Sequence, residues 1–210
     1  MKFSILILSL FVPIALVAQQ PGYSKVENAA EVQKKISAKA QTIHTIESDF
    51  IQEKNISVLS EKIISKGHLT YKEQNKLRWE YYTPFTYLVI LNQGKIFLKD
   101  ENKSNKVDMQ SNKMFQEINN LIVSSVQGNI SGLKNFKVQV FKNQDTYMFE
   151  MTPISGSVKD FFSSIYIYFK QSDLTVQKIN MLEAGGDYTL ITFTKNAYNL
   201  EVSDEKFNFK

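Results

Sequence analysis

Apolar residues recur at three- and four-residue spacing through Ala29, Val32, Ile36, Ala40 and Ile43. That spacing predicts one amphipathic helix of about four to five turns. Ser24-Lys-Val-Glu27 just before it reads as a capping box. The period then changes to two. Ile46, Ser48, Phe50 and Gln52 alternate with Glu47, Asp49, Ile51 and Glu53, which predicts a strand with one buried face. Residues 63–71, 77–82, 87–91 and 96–99 continue as strands, and 136–141, 146–151, 163–170, 175–182 and 188–194 form a second run. Lys72-Glu-Gln-Asn75, Thr83-Pro84, Asn92-Gln-Gly94, Gln171-Ser-Asp173 and Gly185-Gly-Asp187 supply the turns. Between the runs, residues 101–110 read as polar loop. Residues 111–127 read as a second amphipathic helix, capped by Ser111 and carrying Met114, Phe115, Ile118, Leu121 and Ile122 on one face. Gly128 is its stop signal, and residues 157–161 read as one short helical turn.

Consecutive short strands joined by tight turns imply an antiparallel meander, not parallel crossovers. About ten strands curl when they twist. The expected fold class is therefore α+β: a long, curved antiparallel sheet whose concave face is covered by amphipathic helices.

The first residues stand apart. Met1-Lys2 is a charged start, Phe3 to Val17 are almost wholly apolar, and Ala18 precedes Gln19-Gln20. This order reads as a secretory signal peptide over 1–18, with one domain over 19–210. No Cys follows the apolar run, so there is no lipid attachment motif. The 192 residues left carry a formal charge of +3, spread without a basic block, which argues against nucleic-acid binding. The chain has no Cys, which excludes thiol nucleophiles, thiolate metal sites and disulfides. Its 15 Phe and 10 Tyr suit strands and apolar pockets.

Catalytic signatures are missing: no nucleophile elbow, phosphate loop or dinucleotide fingerprint occurs. His44 and His68 are the sole histidines and have no acidic pair at ligand spacing. Glu47, Asp49 and Glu53 share one strand face and read as solvated; paired acids for glycoside hydrolysis need facing partners. Asn55-Ile-Ser57 and Asn129-Ile-Ser131 match the glycosylation sequon, which matters only in a eukaryotic secretory pathway. No cofactor and no metal are expected.

Several segments occur in a familiar order. They are Ile46-x-x-x-Phe50-x-Gln52, then Gly67-x-Leu69-x-Tyr71-Lys72, Leu77-Arg-Trp-Glu-Tyr81 and Tyr87 to Lys95. Asp187-Tyr-x-Leu-x-x-Phe193, Asn196 and Asp204-Glu-Lys-Phe207-x-Phe209 follow. Over nearly all of 19–210 the chain resembles the periplasmic outer-membrane lipoprotein carriers, the LolA-like proteins. The resemblance implies a curved, unclosed antiparallel β-sheet, a half-barrel, with a lid of amphipathic helices. It also implies a function: taking acylated lipoproteins from an inner-membrane transporter and passing them to an outer-membrane acceptor, without catalysis, in the periplasm. An arginine after the lysine that ends the second strand ties the lid in many relatives. Here that place holds Glu73, and a carboxylate cannot donate to carbonyls. Arg78 is the substitute candidate, but alternation puts it opposite Leu77 and Trp79.

On this reading Leu77, Trp79, Tyr81, Leu88 and Ile90 line the wall of an acyl-binding cavity. Met114, Phe115, Ile118 and Leu121 line its lid, and the protein works as a monomer. Two other functions fit the same fold: a lipid or lipoprotein sensor, and an accessory protein for another acylated envelope product.

Overall fold

A computed structural model describes residues 21–108, 121, 124, 130, 133, 135–154 and 158–209. The signal segment 1–18 and the lid residues Met114, Phe115 and Ile118 lie outside the described residues. Twelve strands form one sheet, and every pairing in it is antiparallel. In chain order they are β1 (Ser24–Lys25), β2 (Thr45–Asn55), β3 (Ile63–Lys72), β4 (Lys76–Thr83), β5 (Tyr87–Asn92) and β6 (Lys95–Asp100). Then come β7 (Ser104–Asp108), β8 (Phe136–Lys142), β9 (Thr146–Pro153), β10 (Phe162–Lys170), β11 (Val176–Glu183) and β12 (Tyr188–Tyr198). The spatial order is β1-β8-β9-β10-β11-β12-β2-β3-β4-β5-β6-β7. Among the described residues β1 and β7 are the outer strands and do not pair with each other, so the sheet is unclosed, as the resemblance implies.

Helix α1 (Ala29–Ala40) packs on the concave face. Val32 and Ile36 join Val140, Phe149, Ile165, Ile167 and Phe169 in the larger core cluster. A second concave cluster holds Phe50, Leu69, Tyr71, Leu77, Trp79 and Leu91. The convex face is covered in two places. Val202 and Phe207, from the segment carrying a 3-10 turn over Asp204–Phe207, cover Ile90 and Phe97. Tyr23 packs beside Phe141, Met148 and Tyr166.

Three expectations need correction. Ser24 does not cap a helix: it lies in β1 and pairs with Lys142. The cap is Asn28, whose side chain accepts from the Glu31 N–H at 3.1 Å and donates to the Glu31 carboxylate at 3.2 Å. The cap therefore lies four residues later, and the Glu31 carboxylate meets the Asn28 side-chain amide rather than its backbone N–H. Helix α1 ends at Ala40 rather than continuing through Ile43, because Thr42 and Ile43 turn back onto the Lys39 and Ala40 carbonyls. Residues 104–108 are a strand, not loop. A short polar strand suits an edge, where it blunts pairing with other chains, and that position gives no hydrophobic period to read. The expected turn at 157–161 is the four-residue helix α2 (Val158–Phe161).

Gly67 has a steric reason. It pairs with Phe50 across β2 and β3. A Cβ there would lie 2.0 Å from the Glu80 carbonyl oxygen and 2.5 Å from the Phe50 ring. Only glycine lets that ring fold over the sheet.

Candidate functional site

An apolar cavity of about 50 Å³ lies between α1 and the concave face. Ile36 and Ala40 of α1, with Ile43 just beyond, form one side. Ile46, Leu69, Trp79, Ile179 and Phe193 form the sheet side. Alternation makes this wall: each of these strand residues points inward while its neighbours point out.

The site residues named from sequence divide into groups. Trp79 bounds the cavity. Leu77 and Tyr81 share its face but pack in the cluster beside it, Leu77 at 5 % exposure. Leu121 is buried in the larger cluster beneath α1, with Ile130 and Phe136. Leu88 and Ile90 are not on this face at all. Ile90 packs against Val202 and Phe207 on the convex side, and Leu88 adjoins that cluster. The register gives the reason. Leu77 pairs with Leu91, Trp79 with Val89 and Tyr81 with Tyr87, while Arg78 and Glu80 oppose Ile90 and Leu88. Directly opposed residues share a face, so Val89 and Leu91 take the positions expected of Leu88 and Ile90.

Arg78 likewise faces outward. Its Nε donates to Glu80 at 3.0 Å and its guanidinium to the Lys206 carbonyl at 3.3 Å. It thus ties down the C-terminal turn, not a helical lid. Lys72 and Lys76 add ion pairs to Asp204 at 2.7 and 2.9 Å. Those two ammonium groups hold the Asp204 carboxyl below the usual carboxylate range. Glu73 also has a clear role. Its carboxylate meets His44 Nδ1 at 2.9 Å, and its N–H donates to the His44 carbonyl at 2.8 Å. It therefore anchors the connection between α1 and β2 by a bond no arginine would make.

Sequence reading missed the polar corner of the cavity. Ser48, Thr175, Asn196 and Tyr198 also bound it. Asn196 points inward because β12 carries a register shift between Thr194 and Ala197, with Lys195 at φ 51°. An extra residue in a strand re-aims a side chain in this way, and strict alternation cannot foresee it. Ser48 donates to the Thr194 carbonyl at 3.0 Å and lies 2.5 Å from the Asn196 Oδ1. Burial pushes the Tyr198 phenol upward, so it stays neutral.

The acids on the outer face of β2 are paired. Asp49 meets His68 at 2.8 Å and Lys195 at 2.9 Å. Glu53 meets Lys62 at 2.7 Å, and Glu47 pairs with Lys206. Among the described residues no group of three or more His, Cys, Asp or Glu could hold a metal. None of their helices is long and apolar enough to cross a membrane.

A family described as outer membrane lipoprotein carrier protein LolA matches over residues 41–210. The chain belongs to this family. An outer-membrane lipoprotein carrier protein from Francisella philomiragia is 26% identical over 174 residues, covering 82% of this chain and 80% of that one. Among solved structures, an uncharacterized conserved protein from Thermus thermophilus superposes with a TM-score of 0.53 at 7% identity, covering 88% and 95% of the two chains. A Pseudomonas aeruginosa MucA/MucB complex includes a chain that superposes with a TM-score of 0.51 at 10% identity, covering 87% and 61%. At those identities the likeness is one of fold. It supports the unclosed curved sheet. The family's carrier description accords with a site that offers an apolar cavity.

Proposed function

We propose that this protein is a periplasmic carrier. On this reading it is exported by residues 1–18, binds the acyl chains of lipoproteins on its concave face, and delivers them from the inner to the outer membrane. Its partners are then an inner-membrane transporter and an outer-membrane acceptor. The observation that carries this is the cavity beneath α1, whose lining surface is mostly apolar. An engineered apolar cavity of about 150 Å³ admits only a molecule the size of benzene. A space of about 50 Å³ is therefore shut to an acyl chain, and α1 must move to admit one. Burying each CH₂ contributes about 0.8 kcal/mol, so ten of them supply about 8 kcal/mol toward that opening. A carrier needs such a balance: apolar surface hidden when empty and exposed only to cargo.

The test is extraction. Liposomes bearing a fluorescent triacylated lipopeptide are incubated with residues 19–210 and then sedimented. The protein should carry lipopeptide into the supernatant in saturable amount. Supernatant lipopeptide no higher than with an unrelated β-protein would overturn the proposal.

A further inference from the structure

Trp79 is 7 % exposed, and its indole Nε1–H has no hydrogen-bond partner among the described residues. Native proteins rarely leave a buried donor unmet, because the lost hydration is not recovered. The Trp79 side chain bounds the cavity beneath α1. Its ring packs 4.8 Å from Phe50 and 6.2 Å from Phe193, so apolar neighbours close it off from water. Tyr81 lies two residues further along the same face and donates to Gln52 Oε1 at 2.9 Å. Burial pushes the Tyr81 phenol up to about 12, against a smaller downward pull from the neighbouring Trp79 N–H. The two groups are neighbours, and Tyr81, its hydroxyl directed to Gln52, keeps its proton as a second donor.

We propose that Trp79 and Tyr81 form a carbonyl-reading subsite for the ester or amide that joins an acyl chain to its carrier molecule. This rests on the carrier reading and deepens it, because it names which part of the cargo is recognised. The indole offers a donor and no acceptor, so its complement is an acceptor-only group that tolerates an apolar setting. A carbonyl attached to a hydrocarbon chain is such a group. The chain enters the apolar space beneath α1, its carbonyl takes the Trp79 N–H, and Tyr81 can turn its hydroxyl from Gln52 to the same oxygen. A plain hydrocarbon leaves the donor unmet and is discriminated against.

The chain's single tryptophan makes the test direct, since the wild-type protein gives one indole N–H resonance. Monomyristoylglycerol, an ester, and its tetradecyl ether, which lacks the carbonyl, are titrated separately. The ester should move the indole resonance downfield, and the ether should not. Trp79→Phe keeps an aromatic ring and loses the donor. It should weaken ester binding about tenfold, the worth of a buried hydrogen bond, and ether binding less than twofold. Equal indole shifts with both probes, or equal losses in the variant, would overturn the subsite while leaving the carrier reading intact. Failure of both probes to bind wild type would remove both. If Trp79→Phe does not fold, the wild-type resonance alone decides.

Discussion

At the residue scale, single side chains set the shape of the concave face. Gly67 is present because the Phe50 ring and the Glu80 carbonyl occupy the space of a Cβ. Gly67→Ala should therefore destabilise the fold by about 1–3 kcal/mol, the range for overpacking a filled site, read as a lowered urea midpoint. An unchanged midpoint would mean that the ring and backbone can move aside. Leu77 shows how far periodicity reaches. It reads from sequence as a cavity residue, but the structure packs it in the filled cluster. Apolar spacing reports burial, and whether space remains beside a buried residue depends on its neighbours across the sheet.

At the element scale, α1 is the described helix that closes the cavity. Its hold is modest: three turns, with Val32, Ile36 and Ala40 buried and the Glu73–His44 bond at its exit. Ile36, 1 % exposed, packs in the core and also borders the cavity. Ile36→Ala should cost about 2–4 kcal/mol of stability, yet tighten binding of an acyl probe. The ligand pays for displacing α1, and the variant has already weakened that packing. Parallel urea unfolding and probe titration check this; affinity falling along with stability would show that α1 is part of a rigid core. The C-terminal turn behaves differently. Phe207 is fully buried on the convex side, and Arg78, Lys72, Lys76 and Asn92 all bond its segment. It is a strap that covers Ile90 and Phe97, not a moving part.

At the scale of the whole molecule, acid should loosen the fold at several points together. Asp49 is held below the usual carboxylate range by hydrogen bonds from His68 and Lys195, and Glu53 by those from Lys62 and Tyr188. Asp204 is lowered by Lys72 and Lys76. A carboxyl lowered in the folded state contributes stability that is full above its unfolded value, about 4, and is lost as pH falls through the folded value. The urea midpoint should therefore not fall on these groups' account from pH 7 to about 5, and should drop below about 4. A midpoint unchanged at pH 3 would show that these pairs add nothing measurable. They link β2 to β3 and β12, and β3 and β4 to the C-terminal turn, so their loss would loosen the centre of the sheet.

Much of this architecture was legible in the chain. The period of two in residues 45–55 and 63–83, and the period of 3.6 across Val32, Ile36 and Ala40, specify an antiparallel sheet with a covering helix. Those periods follow from backbone geometry, which acts locally. The ordered segments from Ile46 to Phe209 pointed to the family for the same reason. Decisions that depend on partners distant in sequence were not legible. Which face of β5 is concave followed from its pairing with β4, and that moved Leu88 and Ile90 to the convex side. The inward turn of Asn196 required an irregularity in β12. The roles of Arg78 and Glu73 depended on the Lys206 carbonyl and on His44, 128 and 29 residues away. Local sequence determined the elements and their buried faces. The tertiary structure alone decided which faces meet, where a cavity remains and which donor, Trp79 Nε1–H, has no acceptor among the described residues, because packing and hydrogen bonding are satisfied between strands rather than within them.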